Sequence, residues 1–277
     1  MSQQSTTEAF ARTIRRRTLE MVTRSGSSHV GSALSIADVV AVLYDDVLRV
    51  DPARPRWEER DRFILSKGHA CSVIYAALAS KGFFPIEELE DYAQPGSRLL
   101  AHISHRVPGV EFSTGSLGHG LPFGVGKANA ARLSRRAWHT FVILGDGEMD
   151  EGSNWEALLF AAHHKLSNLT AVIDANNLQS LTTVEETLGL EPLGDKLRAF
   201  GADVVEGDGH DLAFLREALT PGDDSQRFER GPRIVIARSV KGKGVSYMEN
   251  SVAWHYKNPT ADQLERAVAE LEGASRA

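Results

Sequence analysis

The sequence predicts an α/β fold, a parallel sheet with helices on both faces. Three features carry that expectation. Thr140-Phe-Val-Ile-Leu144, Thr170-Ala-Val-Ile-Asp174, Asp203-Val-Val205 and Arg233-Ile-Val-Ile-Ala237 are apolar almost without interruption, as strands covered on both faces must be. Stretches with helical spacing separate them, and alternating strands and helices imply parallel pairing through crossovers. Glycine, aspartate and asparagine follow two of the strands directly, at Gly145-Asp-Gly147 and Asp174-Ala-Asn-Asn177, where an α/β sheet opens its ligand crevice.

Taken in order, the first helix is expected from Thr7 to Arg24, with Phe10, Ile14, Met21 and Val22 near one face and Ser5 and Glu8 as a capping box. Ser35-Ile-Ala-Asp38 opens a second, carrying Ile36, Val39, Val40 and Leu43 at helical spacing. A third follows His69 and ends in Ser80-Lys-Gly-Phe-Phe-Pro85. Gly118, Gly120, Gly124 and Gly126 then alternate with Ala128, Ala130 and Ala131, and such small residues let a helix lie close to another backbone or a ligand. Crossover helices are expected at 153–165, 193–200 and 211–219. Pro221-Gly-Asp-Asp-Ser225 reads as a surface loop, and 260–277 as an amphipathic helix with Leu264, Val268 and Leu271. With no internal repeat and no low-complexity linker, residues 1–277 read as one domain.

Composition narrows the function. Of 277 residues, 42% are hydrophobic and 25% charged, as in ordinary globular proteins. No apolar run approaches the length of a membrane span, and the polar start lacks a signal-peptide core. The single cysteine, Cys71, excludes a disulfide framework and a multi-cysteine metal site, fits a reducing cytoplasm, and is most simply a small buried residue. A net charge of −6 argues against a general nucleic-acid binder. Arg12, Arg15, Arg16 and Arg17 read as a solvated helix face.

The most informative stretch is Gly145-Asp-Gly-Glu-Met-Asp-Glu-Gly-Ser-Asn-Trp155. Two glycines bracket Asp146, so the backbone can turn sharply and approach a ligand. The following helix aims its N-terminus at the same place, which suits phosphate. Asp146 and Asn176 are one helix and one strand apart and therefore sit on neighbouring strand tips. A carboxylate, an amide oxygen and a backbone carbonyl form a hard oxygen set suited to Mg²⁺ or Ca²⁺ holding a diphosphate. A bare Gly-Asp-Gly is more often an acidic turn. The ordered series of strand, Gly-Asp-Gly, helix, strand and Asn-Asn favours the metal–diphosphate reading.

At these residues the sequence resembles thiamine diphosphate enzymes and, within them, the transketolase family. Further blocks in family order are Gly26-Ser-Ser-His-Val-Gly31, Asp61-Arg-Phe-Ile-Leu-Ser-Lys-Gly-His69, Ser113-Thr-Gly-Ser-Leu-Gly118, the stretch from Gly152 to Leu169, and Lys241-Gly-Lys-Gly244 with His255. The resemblance implies a thiamine diphosphate-binding fold. It implies Mg²⁺, with Ca²⁺ or Mn²⁺ as substitutes, held by Asp146, Asn176 and the carbonyl of Leu178. It implies that Gly147, His69 and His255 contact the diphosphate, and that Gly115, Ser116 and Leu117 lie against the aminopyrimidine ring. His29, His102 and His255 match histidines facing the reacting carbon. Glu151, counted with the cofactor-binding residues, and Glu156 match acidic positions at the family's subunit interface.

The family moves a two-carbon ketol unit from a ketose to an aldose. The cofactor takes up the electron pair of the broken C–C bond. The protein must stabilise oxyanions and move protons near neutral pH, work for which imidazole is suited. Of the other histidines, His105 rivals His102, and His119 stands where many members have glutamine. His163 and His164 read as helix-surface residues, and His210 as a turn and cap. Lys241 and Lys243 read either as phosphate partners or as a flexible basic loop.

Full-length family members have a diphosphate domain, a pyrimidine domain and a C-terminal domain, and only the first has a counterpart here. The chain runs 22 residues beyond His255 (277 − 255), with no place there for the glutamate that activates the cofactor. Two explanations fit, a truncated longer chain or the N-terminal subunit of a split transketolase, and the expectation is the second, paired with another chain in an α2β2 heterotetramer that acts on sugar phosphates in the cytoplasm, without nucleic acid or membrane. Competing readings are a 1-deoxyxylulose-5-phosphate synthase-like, dihydroxyacetone-synthase-like or secondary-metabolism reaction, and a non-catalytic cofactor-binding module. The His29 and His102 blocks favour transketolase. The presence of Asp146, Asn176, His29, His69 and His255 together speaks against a decayed module.

Overall fold

The computed structural model describes residues 3–222 and 229–273. Helix α1 (Gln3–Ser25) is followed by α2 (Val30–Ser35) and α3 (Ala37–Val42), which runs on into a π-helical turn, Leu43–Val47. Strand β1 (Arg62–Leu65) leads through a 3₁₀ turn, Gly68–Ala70, into α4 (Cys71–Ser80). Next come α5 (Gly120–Ser134), β2 (Thr140–Gly145), a 3₁₀ turn Gly147–Asp150, α6 (Gly152–His163) and β3 (Leu169–Ala175). The chain continues with α7 (Val184–Thr187), α8 (Leu193–Ala199), β4 (Asp203–Asp208), α9 (Leu212–Leu219), β5 (Arg233–Arg238) and α10 (Ala261–Gly273).

The strands form one parallel sheet in the order β1-β2-β3-β5-β4. Alternate residues feed two separate cores. Phe63, Leu65, Phe141, Ile143, Val172 and Val235 join the apolar cluster of α1, α3 and α4. Ile64, Val142, Leu144, Ala171, Ile173 and Ile234 join that of α5, α6 and α8. Both faces are thus covered, as the uninterrupted apolar runs require. Gly124 lets α5 sit tightly on the sheet, since a Cβ there would lie 2.5 Å from Val142 Cγ2. The carboxyl ends of β1, β2, β3 and β5 open into Ser66-Lys67, Asp146, Asn176 and Ser239–Lys241, which meet at one edge.

Several expectations need correction. Strand β1 is absent from the expected elements, because four residues between Asp61 and Ser66 are too short to show a period. The helix expected to open at Ser35 is present as α3 from Ala37, but a short unexpected helix, α2, precedes it, and the Ser35 hydroxyl donates to Ser32 O and to Asp174 instead of capping amides. Helix α1 starts at Gln3, so Ser5 lies inside it, and the Glu8 carboxylate pairs with Arg12 at 2.8 Å. The arginine run is not all solvated: Arg15 is 6% exposed and bonded to Asp38 at 2.9 and 2.5 Å. Asp211, not His210, caps α9. Lys241 is no flexible loop residue, being 1% exposed. Residues 223–225 of the expected loop and 274–277 of the expected last helix lie outside the described residues.

Candidate active site

The floor of the site is Asp174, at the end of β3 and 1% exposed. Its carboxylate accepts from Lys67 Nζ at 2.5 Å, Ser35 Oγ at 2.6 Å, Asn176 Nδ2 at 2.9 Å and Ser239 Oγ. Burial opposes its ionisation, but the Lys67 ammonium and these hydrogen bonds outweigh burial and hold it below the usual carboxylate range. Because Asn176 spends its Nδ2 on Asp174, its Oδ1 faces the other way, where it accepts from Leu178 N at 3.1 Å.

Asp146 stands on the neighbouring tip. Its oxygens accept only backbone N–H groups, from Gly147 at 2.8 Å and Asn177 at 2.5 Å. Among the described residues it has no ion-pair partner within 4.0 Å. Burial and then the nearby Asp174 carboxylate push it up to about 6. A buried carboxylate in this state favours an added cation. Asp146, Asn176 Oδ1 and Leu178 O supply a carboxylate, an amide oxygen and a carbonyl from adjacent tips. Among the described residues no group of three or more His, Cys, Asp or Glu gathers to hold a metal alone. The donor set therefore fits Mg²⁺, which usually takes one or two protein carboxylates and completes its shell with phosphate oxygens and water. Gly147 lies under Gln179, whose Cγ would be 2.8 Å from an added Cβ.

Lys241 faces these groups. Its ammonium donates to Leu178 O, Gln179 O and His255 Nδ1, each at 3.0 Å. No carboxylate pairs with it among the described residues. Burial and the neighbouring Lys67 lower it to about 8. Two buried ammonium groups beside a hard-oxygen set make a site for a polyanion such as a diphosphate. Lys67 and Asp174 do not stand out as site residues in the sequence, and Lys241 is ambiguous there. A charged residue closing a fully apolar strand is the signal that marks Asp174, since lone charges are almost never buried.

Four of the expected histidines converge. The His29 ring centre lies 5.1 Å from that of His69, 5.7 Å from His102 and 5.1 Å from His255. His69 and His255 are 5.6 Å apart. His29 is fixed by its N–H to His255 O at 2.8 Å and has a left-handed φ of 74°. Such strain in a non-glycine residue persists only where the surroundings enforce it. Burial lowers His29 to about 4, with His102, Lys241 and Lys67 adding to the effect, and lowers His255 to about 3, with Lys241 adding most. Burial also takes His69 well below its ordinary value. These three imidazoles are therefore neutral near pH 7. Since Nδ1 of His255 accepts from Lys241, its Nε2 carries the proton and is the free donor.

Gly115 lies beside this cluster, and a Cβ there would be 3.4 Å from His102 Cδ2. Ser116 is exposed, Leu117 is half-buried, and both carbonyls lie near His119 Nδ1, at 3.3 and 3.0 Å. His105 points elsewhere, its Nδ1 2.7 Å from Ser113 Oγ, so of the two rivals it is His102 that joins the cluster. Glu151 and Glu156 are exposed, at the entry of α6 and on the helix itself. His163 is exposed and His164 half-buried at the end of α6. Cys71 is buried as the first residue of α4, with its thiol pushed up to about 12 by burial.

Comparison with known proteins identifies the family. Residues 6–272 match the family model described as the thiamine diphosphate binding domain of transketolase. A chain of the apulose-4-phosphate transketolase of Phocaeicola vulgatus, named as one of its subunits, is 42% identical over 257 residues, 93% of this chain and 90% of that protein. A 6-deoxy-6-sulfo-D-fructose transketolase subunit of a Clostridium species is 42% identical over 263 residues, 95% of this chain and 94% of that one. The crystal structure of transketolase from Campylobacter jejuni superposes with a TM-score of 0.89 at 29% identity, over 96% of this chain but only 42% of that chain. Matched along nearly its whole described length by that domain, this chain belongs to the transketolase family.

Proposed function

We propose that the chain is the diphosphate-binding subunit of a two-component transketolase that transfers a two-carbon ketol unit from a ketose phosphate to an aldose phosphate. The observation that carries this is the pairing of an uncompensated Asp146 with a buried, carboxylate-free Lys241 at adjacent strand tips under a cluster of neutral histidines. Thiamine diphosphate, when bound, supplies the carbon that attacks the donor carbonyl and stores the electron pair of the broken bond. Asp146, Asn176 and the Leu178 carbonyl would hold Mg²⁺, while Lys241, His69 and the Gly147 N–H, once released from Asp146 Oδ1, would hold the diphosphate. His29, His102 and His255 donate to the substrate oxygens. Neutral imidazoles can both give and take a proton there, which a fixed cation cannot.

The pyrimidine and C-terminal domains then belong to a partner chain, in an α2β2 assembly that encloses the cofactor between unlike subunits. Two relatives named as subunits, and the 42% share of a solved full-length transketolase, support this. Exposed Glu151 and Glu156 are the residues of α6 and its entry assigned to that interface. Among the described residues no helix is long and apolar enough to cross a membrane, and the reading places the protein in the cytoplasm. The test is reconstitution. The chain alone should show negligible ketol transfer with thiamine diphosphate, Mg²⁺ and ketose phosphate, and adding the partner should restore turnover. Full activity of this chain by itself would overturn the two-component reading.

A further inference from the structure

One buried acid has no part in the scheme above. Glu148 is 1% exposed, two residues beyond Asp146 in the 3₁₀ turn after β2. Its side chain turns back from the metal site. Oε1 accepts from Ser66 Oγ, at the end of β1, and from Gly118 N at 3.0 Å, while Oε2 accepts from Gly145 N at 3.3 Å. One carboxylate thus holds three segments, and its three donors offset the cost of burying the charge.

The segment it reaches is the one assigned to the pyrimidine ring. Thr114 Oγ1 donates to Leu65 O at 2.6 Å and fixes one end of residues 114–118. At the other end, Gly118 is gripped on both sides of its peptide. Its N–H is held by Glu148, and its carbonyl accepts from Ser153 Oγ at 2.6 Å. Gly118 has a φ of +80°, and a Cβ there would lie 2.6 Å from Ser153 Oγ and 2.7 Å from Glu151 Cβ. Between the anchors, among the described residues, the N–H groups of Gly115, Ser116 and Leu117 have no partner in the chain. The segment is held at its ends and left free in the middle.

We propose that Glu148 is a positioning residue that locks the pyrimidine-facing segment onto the Gly-Asp-Gly turn, so that the two ends of the cofactor are bound as one unit. This rests on the thiamine diphosphate reading of the site. Its consequence is a coupling: loss of the carboxylate loosens 114–118 while leaving Asp146, Asn176 and Lys241 in place. Binding of the whole cofactor should then suffer more than binding of its anionic end.

The experiment compares wild type, Glu148→Ala and Glu148→Gln in the full chain. Calorimetry with Mg²⁺ measures affinity for thiamine diphosphate and, separately, for inorganic pyrophosphate. Amide hydrogen exchange is followed in the absence of ligand. Glu148→Ala should weaken thiamine diphosphate binding by about tenfold, the order expected for a lost charge-assisted hydrogen bond. Pyrophosphate binding should change far less, and exchange should accelerate at the Gly118 and Gly145 N–H groups that Glu148 holds, but not at 140–144 of β2 or in β3. Glu148→Gln keeps an amide oxygen for Ser66 and Gly118 and should restore most of the affinity. Equal weakening of both ligands, unchanged exchange at Gly118, or a Gln variant as impaired as Ala would overturn the proposal. Wild-type chain that binds pyrophosphate but shows no preference for thiamine diphosphate would instead remove the cofactor reading, and the proposal with it. An exchange difference at Gly118 would still distinguish the two failures.

Discussion

Asp38 and Asp146 are both buried carboxylates, 8% and 6% exposed, yet their surroundings differ in kind. Asp38, in α3, receives Arg15 through two hydrogen bonds and His210 Nδ1 at 2.7 Å. His210 in turn accepts the Val240 N–H through Nε2 at 2.9 Å. Donors and acceptors there match almost one for one, with only Arg15 Nε left without a partner among the described residues. Burial alone would raise Asp38, but Arg15 and His210 prevail and hold it far below the carboxylate range. Asp146 has only backbone donors and is raised. Burial does not separate a structural charge from a functional one. What separates them is whether the chain itself supplies the counter-charge.

This contrast can be broken at several points. The largest effect is expected from Asp146→Ala, which should abolish Mg²⁺-dependent binding of thiamine diphosphate, measured by calorimetry, with the melting temperature unchanged or raised. Retained metal-dependent binding would remove Asp146 from the metal site. Asp38→Ala should do the opposite. Leaving Arg15 buried without its partner should cost about 3–5 kcal/mol of unfolding free energy in a denaturant titration, with cofactor affinity largely kept. If affinity instead collapsed as for Asp146, the two clusters would not be distinct.

A subtler effect is expected at His29. Replacement by Asn, which tolerates a left-handed backbone, should spare cofactor binding. In the reconstituted enzyme it should lower kcat/KM by the equivalent of about 2–4 kcal/mol, as for other lost donors to an oxyanion. A change in cofactor affinity of similar size would assign His29 to binding. The smallest effect is the pH dependence of stability. Asp38 titrates lower in the folded chain than its ordinary value of 3.8. Its contribution is therefore full well above that pH and fades as the pH falls below it. Wild type should lose stability there more steeply than Asp38→Asn, and parallel curves would discount the ion pair.

Much of this is legible in sequence because strand tips are marked locally. The apolar runs at 140–144 and 170–174 announce buried parallel strands, and Gly145-Asp-Gly147 and Asn176 follow them closely. His29, His69, His102 and His255 carry family signatures in separate blocks. What stays hidden depends on distant partners. Lys67 and Lys241 are 174 positions apart (241 − 67) yet meet at one site. Arg15 looks like one of four surface arginines because Asp38, its partner, lies on another helix. Glu148 reads only as a link in an acidic turn, since nothing near it in sequence announces Ser66 or Gly118.

Asp174 gathers donors from α2, from the end of β1, from its own strand and from the end of β5. No excised peptide or half-chain can reproduce that meeting, because its participants span residues 35 to 239. The crevice comes into being only when the last strand has slotted between β3 and β4, a late event for a topology built on remote contacts. Coenzyme affinity is therefore also a gauge of maturation, and a nascent chain should acquire it in a single step at the end of folding rather than by degrees.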